Sequence, residues 1–177
     1  MCFLKRSSDG ELSITKDLPD DHLPEYVILS HTWGADGEEV TFEDFTTDAV
    51  ESKAGYNKIR FCADQAFRDG LQHFWVDTCC IKKSSDAELT EAINSMFRWY
   101  QRAAKCYVFL SDVLCVKGVE VEAWLPAFRK SKWFTRGWTL RKLIAPASVE
   151  FFSVGGVRLG DRRSLEREIH NITRILV

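Results

Sequence analysis

Phe74-Trp75-Val76-Asp77-Thr78-Cys79-Cys80-Ile81 is a short apolar run that ends abruptly in an acid, a hydroxyl and two thiols. A run of that length, bounded by polar residues and followed by a helical pattern, has the form of a strand buried on both faces of a parallel sheet. Ligands of open α/β sheets bind beyond the carboxyl ends of such strands. If the chain has a site, Asp77 to Cys80 face it.

Upstream, Ile59, Cys62, Ala63, Ala66 and Phe67 recur at three-to-four spacing between Gly55 and Arg68, and Asp69-Gly70 supplies a stop. This predicts an amphipathic crossover helix. Before it, Tyr26 to Thr32 reads as a buried strand that ends in Trp33-Gly34 and an acidic loop, Asp36 to Glu39. His31 and Trp33 then sit at that strand's carboxyl end, and the strand–helix–strand unit has the length a right-handed parallel crossover needs. Downstream, Ser85 and Glu88 form a capping box, and Leu89, Ile93, Met96, Phe97 and Tyr100 continue one apolar stripe, which predicts a helix from about Asp86 to Ala104. Cys106 to Leu110 is a third buried strand, with Ser111 and Asp112 at its end. The order βαβαβ implies a doubly wound sheet.

The outer segments are shorter. Cys2 to Lys5 and Glu11 to Lys16 flank Ser7-Ser8-Asp9-Gly10, a turn that closes a small hairpin at the domain's edge. Toward the C-terminus, Val113 to Pro126, with its Lys117-Gly118 turn, reads as a surface loop, and Ala127 to Trp133 as a helical turn. Thr139 to Ala145 is a second helical turn, stopped by Pro146, and Val149 to Phe152 is a fourth strand. Gly155 to Gly160 reads as a turn, and Ser164 as the cap of a final helix through about Ile172. With no repeat, low-complexity tract or linker between these segments, residues 1–177 are expected to form one domain. The apolar end, Ile175-Leu176-Val177, suggests that the chain continues beyond it.

A formal net charge of −2 supplies no global attraction to nucleic acid or anionic membrane. Neither a signal peptide nor an apolar stretch long enough to span a bilayer is visible, so a cytoplasmic location is expected. The six cysteines lack C-x-x-C spacing, which argues for small buried hydrophobes over a metal site. No Gly-rich phosphate loop occurs, which argues against nucleotidyl transfer and dehydrogenation.

Four motifs carry a resemblance. Ile28-Leu29-Ser30-His31-Thr32-Trp33-Gly34, Trp75-Val76-Asp77-Thr78-Cys79-Cys80-Ile81, Ala92-Ile93-Asn94-Ser95-Met96-Phe97, and Trp133-Phe134-Thr135-Arg136-Gly137-Trp138-Thr139-Leu140 with Ile144-Ala145-Pro146 resemble the successive motifs of the fungal heterokaryon-incompatibility (HET) domain. They span residues of about 26 to 152. The flanks resemble the version found at the N-terminus of NOD-like receptors that carry a NACHT domain and WD repeats. The resemblance implies a cell-death effector of non-self recognition, with a TIR-like (flavodoxin-like) three-layer fold around a mostly parallel sheet. It further implies self-association, the NACHT and WD-repeat segments as partners, and no required cofactor, with NAD as a candidate substrate.

Some TIR domains are NAD glycohydrolases, and the HET motif that ends Gly-Trp-Thr-Leu-Gln-Glu-Leu looks like an analogue of their glutamate-bearing segment. Here the Gln-Glu pair is Arg141-Lys142, and the acid expected after Cys80-Ile81 is Lys82. A carboxylate stabilises an oxocarbenium-like transition state and a nearby cation opposes it. The resemblance therefore implies a weak or inactive enzyme, which favours signalling by assembly over NAD cleavage. The candidate catalytic positions are Lys142, where the glutamate is expected, and the remaining acids Asp77 and Glu91. Ser30, His31, Trp33, Gly34, Cys79, Trp138 and Arg141 are candidate ligand-binding residues. A third reading pairs Cys79 or Cys80 with His31 as a thiol hydrolase.

Overall fold

A computed structural model of the chain describes residues 1–35, 37–47 and 50–175. Asp36, which heads the expected acidic loop, and Leu176 and Val177 of the apolar end lie outside the described residues. In chain order the elements are β1 (Leu4–Arg6), β2 (Leu12–Ile14), β3 (Tyr26–His31), α1 (Tyr56–Arg68), β4 (His73–Val76), α2 (Asp86–Arg102), β5 (Lys105–Leu110), α3 (Val121–Arg129), α4 (Thr139–Ile144), β6 (Val149–Ser153), β7 (Arg158–Asp161) and α5 (Glu166–Thr173). A 3-10 turn, Lys132–Thr135, precedes α4.

All seven strands form one sheet in the order β2-β1-β4-β3-β5-β6-β7. The central four, β4-β3-β5-β6, run parallel, and β1 and β7 flank them antiparallel. The first parallel strand therefore lies between the second and third, which is the flavodoxin-like order and puts a topological switch point beside β3. The three strands read as a βαβαβ core are neighbours as expected, with Val27 opposite Phe74 on one side and Lys105 on the other. Every residue of β3 is buried, as near-continuous apolar strands of a covered parallel sheet should be.

Helices cover both faces. On one, Phe61 of α1 packs against Tyr107, Phe109 and Phe152. On the other, Trp99 and Tyr100 of α2 pack on Trp75, and Phe128 of α3 packs on Phe151. The α2 cap forms as read, with the Ser85 hydroxyl accepting from the Glu88 N–H. The hairpin Leu4–Arg6 with Leu12–Ile14 also forms, and β1 joins it to the sheet through β4.

Three expectations are corrected. The segment Val113 to Pro126 is not loop throughout, because α3 starts at Val121 and continues through Pro126 to Arg129. Proline there removes the N–H that would bond the Glu122 carbonyl, at about 3 kcal/mol. Against that, Trp124 and Phe128, one turn apart, are both buried, and each such side chain contributes about 1.5 to 3 kcal/mol. Tertiary burial outweighs the breaker. Secondly, Gly155 to Gly160 is a turn only in its first half, since Arg158 to Asp161 pair with β6. Thirdly, Ser164 does not cap the last helix. Its hydroxyl accepts from the Asp161 N–H while its own N–H donates to the Asp161 carboxylate, and α5 begins at Glu166.

Replacing Pro126 by alanine is expected to stabilise the protein by about 2 kcal/mol. The restored helix bond is offset only partly by the looser unfolded chain. A melting temperature that is unchanged or lower would show that the proline ring itself packs usefully.

Candidate functional site

The carboxyl ends of β3 and β4 bring together residues that are remote in sequence. Asp77, the first residue after β4, is 5% exposed. Its Oδ1 accepts a hydrogen bond from Trp33 Nε1 at 3.1 Å, and His31 Nε2 lies 3.1 Å from the same oxygen. The imidazole is off the line that a good hydrogen bond needs, so that contact is chiefly electrostatic. Lys142 Nζ, from α4, reaches Asp77 Oδ2 at 3.4 Å and lies 5.5 Å from the centroid of the Tyr100 ring. Burial alone would push the Asp77 carboxyl up, but the Lys142 ammonium, then His31 and the Trp33 indole, hold it well below the usual carboxylate range.

Above this pair opens a cleft of about 240 Å³ with Leu89, Ile93 and Met96 of α2 on one wall, Trp33 and Trp138 on the other, and Lys83 and Arg136 at its mouth. Trp33 and Trp138 are each 43% exposed. Cations cover them. Lys83 Nζ is 3.9 Å from the Trp33 ring centroid, and the Arg136 and Arg141 guanidiniums are 5.8 and 4.9 Å from Trp33 and Trp138 respectively. Trp33 also walls a second cavity of about 620 Å³, which contains Gly34, Glu39 and Lys58.

Of the residues singled out from sequence, Trp33, Asp77, Trp138 and Lys142 line the cleft, His31 lies buried against Asp77, and Arg141 covers Trp138. Gly34 belongs to the larger cavity, where its N–H donates to Glu39 Oε1 at 2.5 Å. Ser30 is buried beneath the site, and its hydroxyl accepts from Trp133 Nε1 at 2.9 Å. Glu91 is not brought to the cleft. It lies exposed on α2, on a separate groove with Lys82 and Glu88, because its position is offset from the inward stripe. Cys79 and Cys80 are buried, and burial pushes the Cys80 thiol well up, which opposes a thiolate nucleophile. Sequence reasoning missed Lys83, Arg136 and Tyr100 as site residues. Arg136 stood inside a quoted motif, and Tyr100 stood on the α2 stripe.

What the arrangement offers chemically is limited by Lys142. Among the described residues the one carboxylate lining the cleft, that of Asp77, is ionised and fully committed to cationic and N–H partners, so it is neither a proton donor nor a free counter-charge for a developing cation.

Residues 26–123 match the family model for heterokaryon incompatibility protein (HET). The chain is 61% identical over 177 residues to the vegetative incompatibility protein HET-E-1 of Podospora anserina, covering 99% of this chain and 13% of that protein. It thus spans a small fraction of the length of this relative. No solved structure matches.

Proposed function

Because the chain belongs to the heterokaryon incompatibility (HET) family, we propose that it is a cell-death effector domain of non-self recognition that acts by TIR-like self-assembly. The observation that carries this reading is the Lys142–Asp77 contact of 3.4 Å, which neutralises the only carboxylate lining the cleft among the described residues. A domain whose apparent site is closed by an ion pair signals through its surfaces. On this reading the domain is cytoplasmic and needs no cofactor. Nucleotide-binding NACHT and WD-repeat segments of a longer receptor are its partners and would bring copies together.

A test is to fuse the chain to an inducible oligomerisation module in a filamentous fungus and to follow viability and cellular NAD together. Clustering is expected to kill with NAD unchanged, and the unclustered fusion to be tolerated. A fall in NAD that precedes death would overturn the assembly reading.

One observation favours a second reading, NAD glycohydrolysis silenced in this chain. Asp77 lies beyond the carboxyl end of a parallel strand in an aromatic-walled cleft, on the sheet edge where substrate sites of this sheet class form.

A further inference from the structure

Two exposed surfaces of this chain complement each other. The first is the cleft, with its apolar α2 wall of Leu89, Ile93 and Met96 and three cations, Lys83, Arg136 and Arg141, held over tryptophan rings. Among the described residues none of the three has a carboxylate at ion-pair distance. The second is the segment between β5 and α3 together with the first turn of α3. Leu114 is 73% exposed, Val116 59%, Val119 39% and Val121 47%, and the exposed acids Glu120 and Glu122 lie among them. Four exposed aliphatic side chains within eight residues form the kind of patch that marks an interaction site.

The loop presents these groups by construction. Val113 and Cys115 are buried and tied to the β6–β7 turn, with Val154 N–H donating to the Val113 carbonyl at 2.9 Å and Ser153 Oγ to the Cys115 carbonyl at 3.4 Å. In extended chain, anchoring alternate residues sends Leu114 and Val116 outward. A cleft of about 240 Å³ suits one or two aliphatic side chains and is smaller than the roughly 300 to 1,000 Å³ of drug-sized ligand pockets.

We propose that the Leu114–Glu122 loop of one copy docks in the Trp33–Trp138 cleft of the next, its aliphatic side chains against α2 and its glutamates on Lys83, Arg136 and Arg141. The proposal rests on the assembly reading above and names its surfaces. The cleft opens at the β4 end of the sheet and the loop leaves at the β5 and β6 end, roughly 15 Å away across three strand spacings. Different patches therefore meet, so the contact is heterologous and propagates unless the rotation closes a ring.

The test is sedimentation velocity on the full chain and two charge-reversed variants, Glu120→Arg/Glu122→Arg in the loop and Arg136→Glu/Arg141→Glu in the cleft, with thermal melts to confirm folding. The unmodified chain is expected to grow beyond a dimer as concentration rises, and less so in high salt. Each variant alone is expected to stay monomeric. Their equimolar mixture is expected to co-assemble again, since the two intact halves still pair and the two reversed halves are once more opposite in charge. Assembly of either variant at wild-type strength, or a mixture that stays monomeric, overturns these surfaces while leaving assembly itself standing. An unmodified chain that is monomeric throughout overturns the assembly reading as well.

Discussion

Lys142→Ala is expected to lower stability at neutral pH by about 3 to 5 kcal/mol, the cost of leaving a buried carboxylate without its cation. For a chain of this size that is a fall in melting temperature of roughly 6 to 20 °C. The pH dependence identifies the cause. In the unmodified protein the Asp77 carboxyl is held below its unfolded value, so its contribution is complete above about pH 4 and fades as the pH falls further. Without the ammonium, the burial that pushes this carboxyl up loses its largest opponent, and protonation relieves the strain. The difference between variant and parent should thus shrink from pH 7 to pH 4 in thermal melts. A constant difference would mean that lost packing around Tyr100, not charge, sets the cost. The double replacement Asp77→Asn/Lys142→Met is expected to recover much of the loss, because buried ion pairs contribute little over well-packed neutral groups.

The charge reversal Lys142→Glu should have the largest effect on chemistry. One unit charge about 4 Å away changes the energy of a developing cation by about 1 to 4 kcal/mol, and reversing its sign doubles that. At about 1.4 kcal/mol per decade, the gain in rate is between roughly 30-fold and 10⁶-fold. Two carboxylates that share one buried site cannot both ionise, so one retains a proton near neutral pH and the pair becomes a usable acid and base. The unmodified chain is therefore expected to show little or no release of nicotinamide from NAD by chromatography, and the folded Lys142→Glu protein to show a clear rate. Robust cleavage by the unmodified chain would show that Lys142 does not block the site. An inactive but folded Lys142→Glu protein would remove the hydrolase reading.

Much of the fold was legible because its signals are local. The strands read at Tyr26 to Thr32, Phe74 to Asp77 and Cys106 to Leu110 have the length and continuity of covered parallel strands, and the α1 and α2 stripes have helical period. The capping box at Ser85 needed only four residues to be read. Where the reading failed, the deciding term was not local. Pro126 argued for a break, and α3 forms because Phe128 finds Phe134 and Phe151 in the core while Trp124 packs on Phe128, energies that no window of neighbours contains. β7 was hidden because its pairing with β6 supplies its order.

The site divides in the same way. That Asp77, His31 and Trp33 lie at strand ends followed from the sequence, since the parallel order puts every carboxyl end on one edge. The resemblance alone put an expected acid at the position of Lys142. Only the tertiary structure decided that this lysine comes to rest on Asp77, 65 residues away in the chain, and that Glu91 does not. The reason is physical: strand and helix periods are set by neighbours along the chain, whereas an ion pair depends on how far a helix is rotated and advanced against the sheet. That rotation is fixed by the whole core at once.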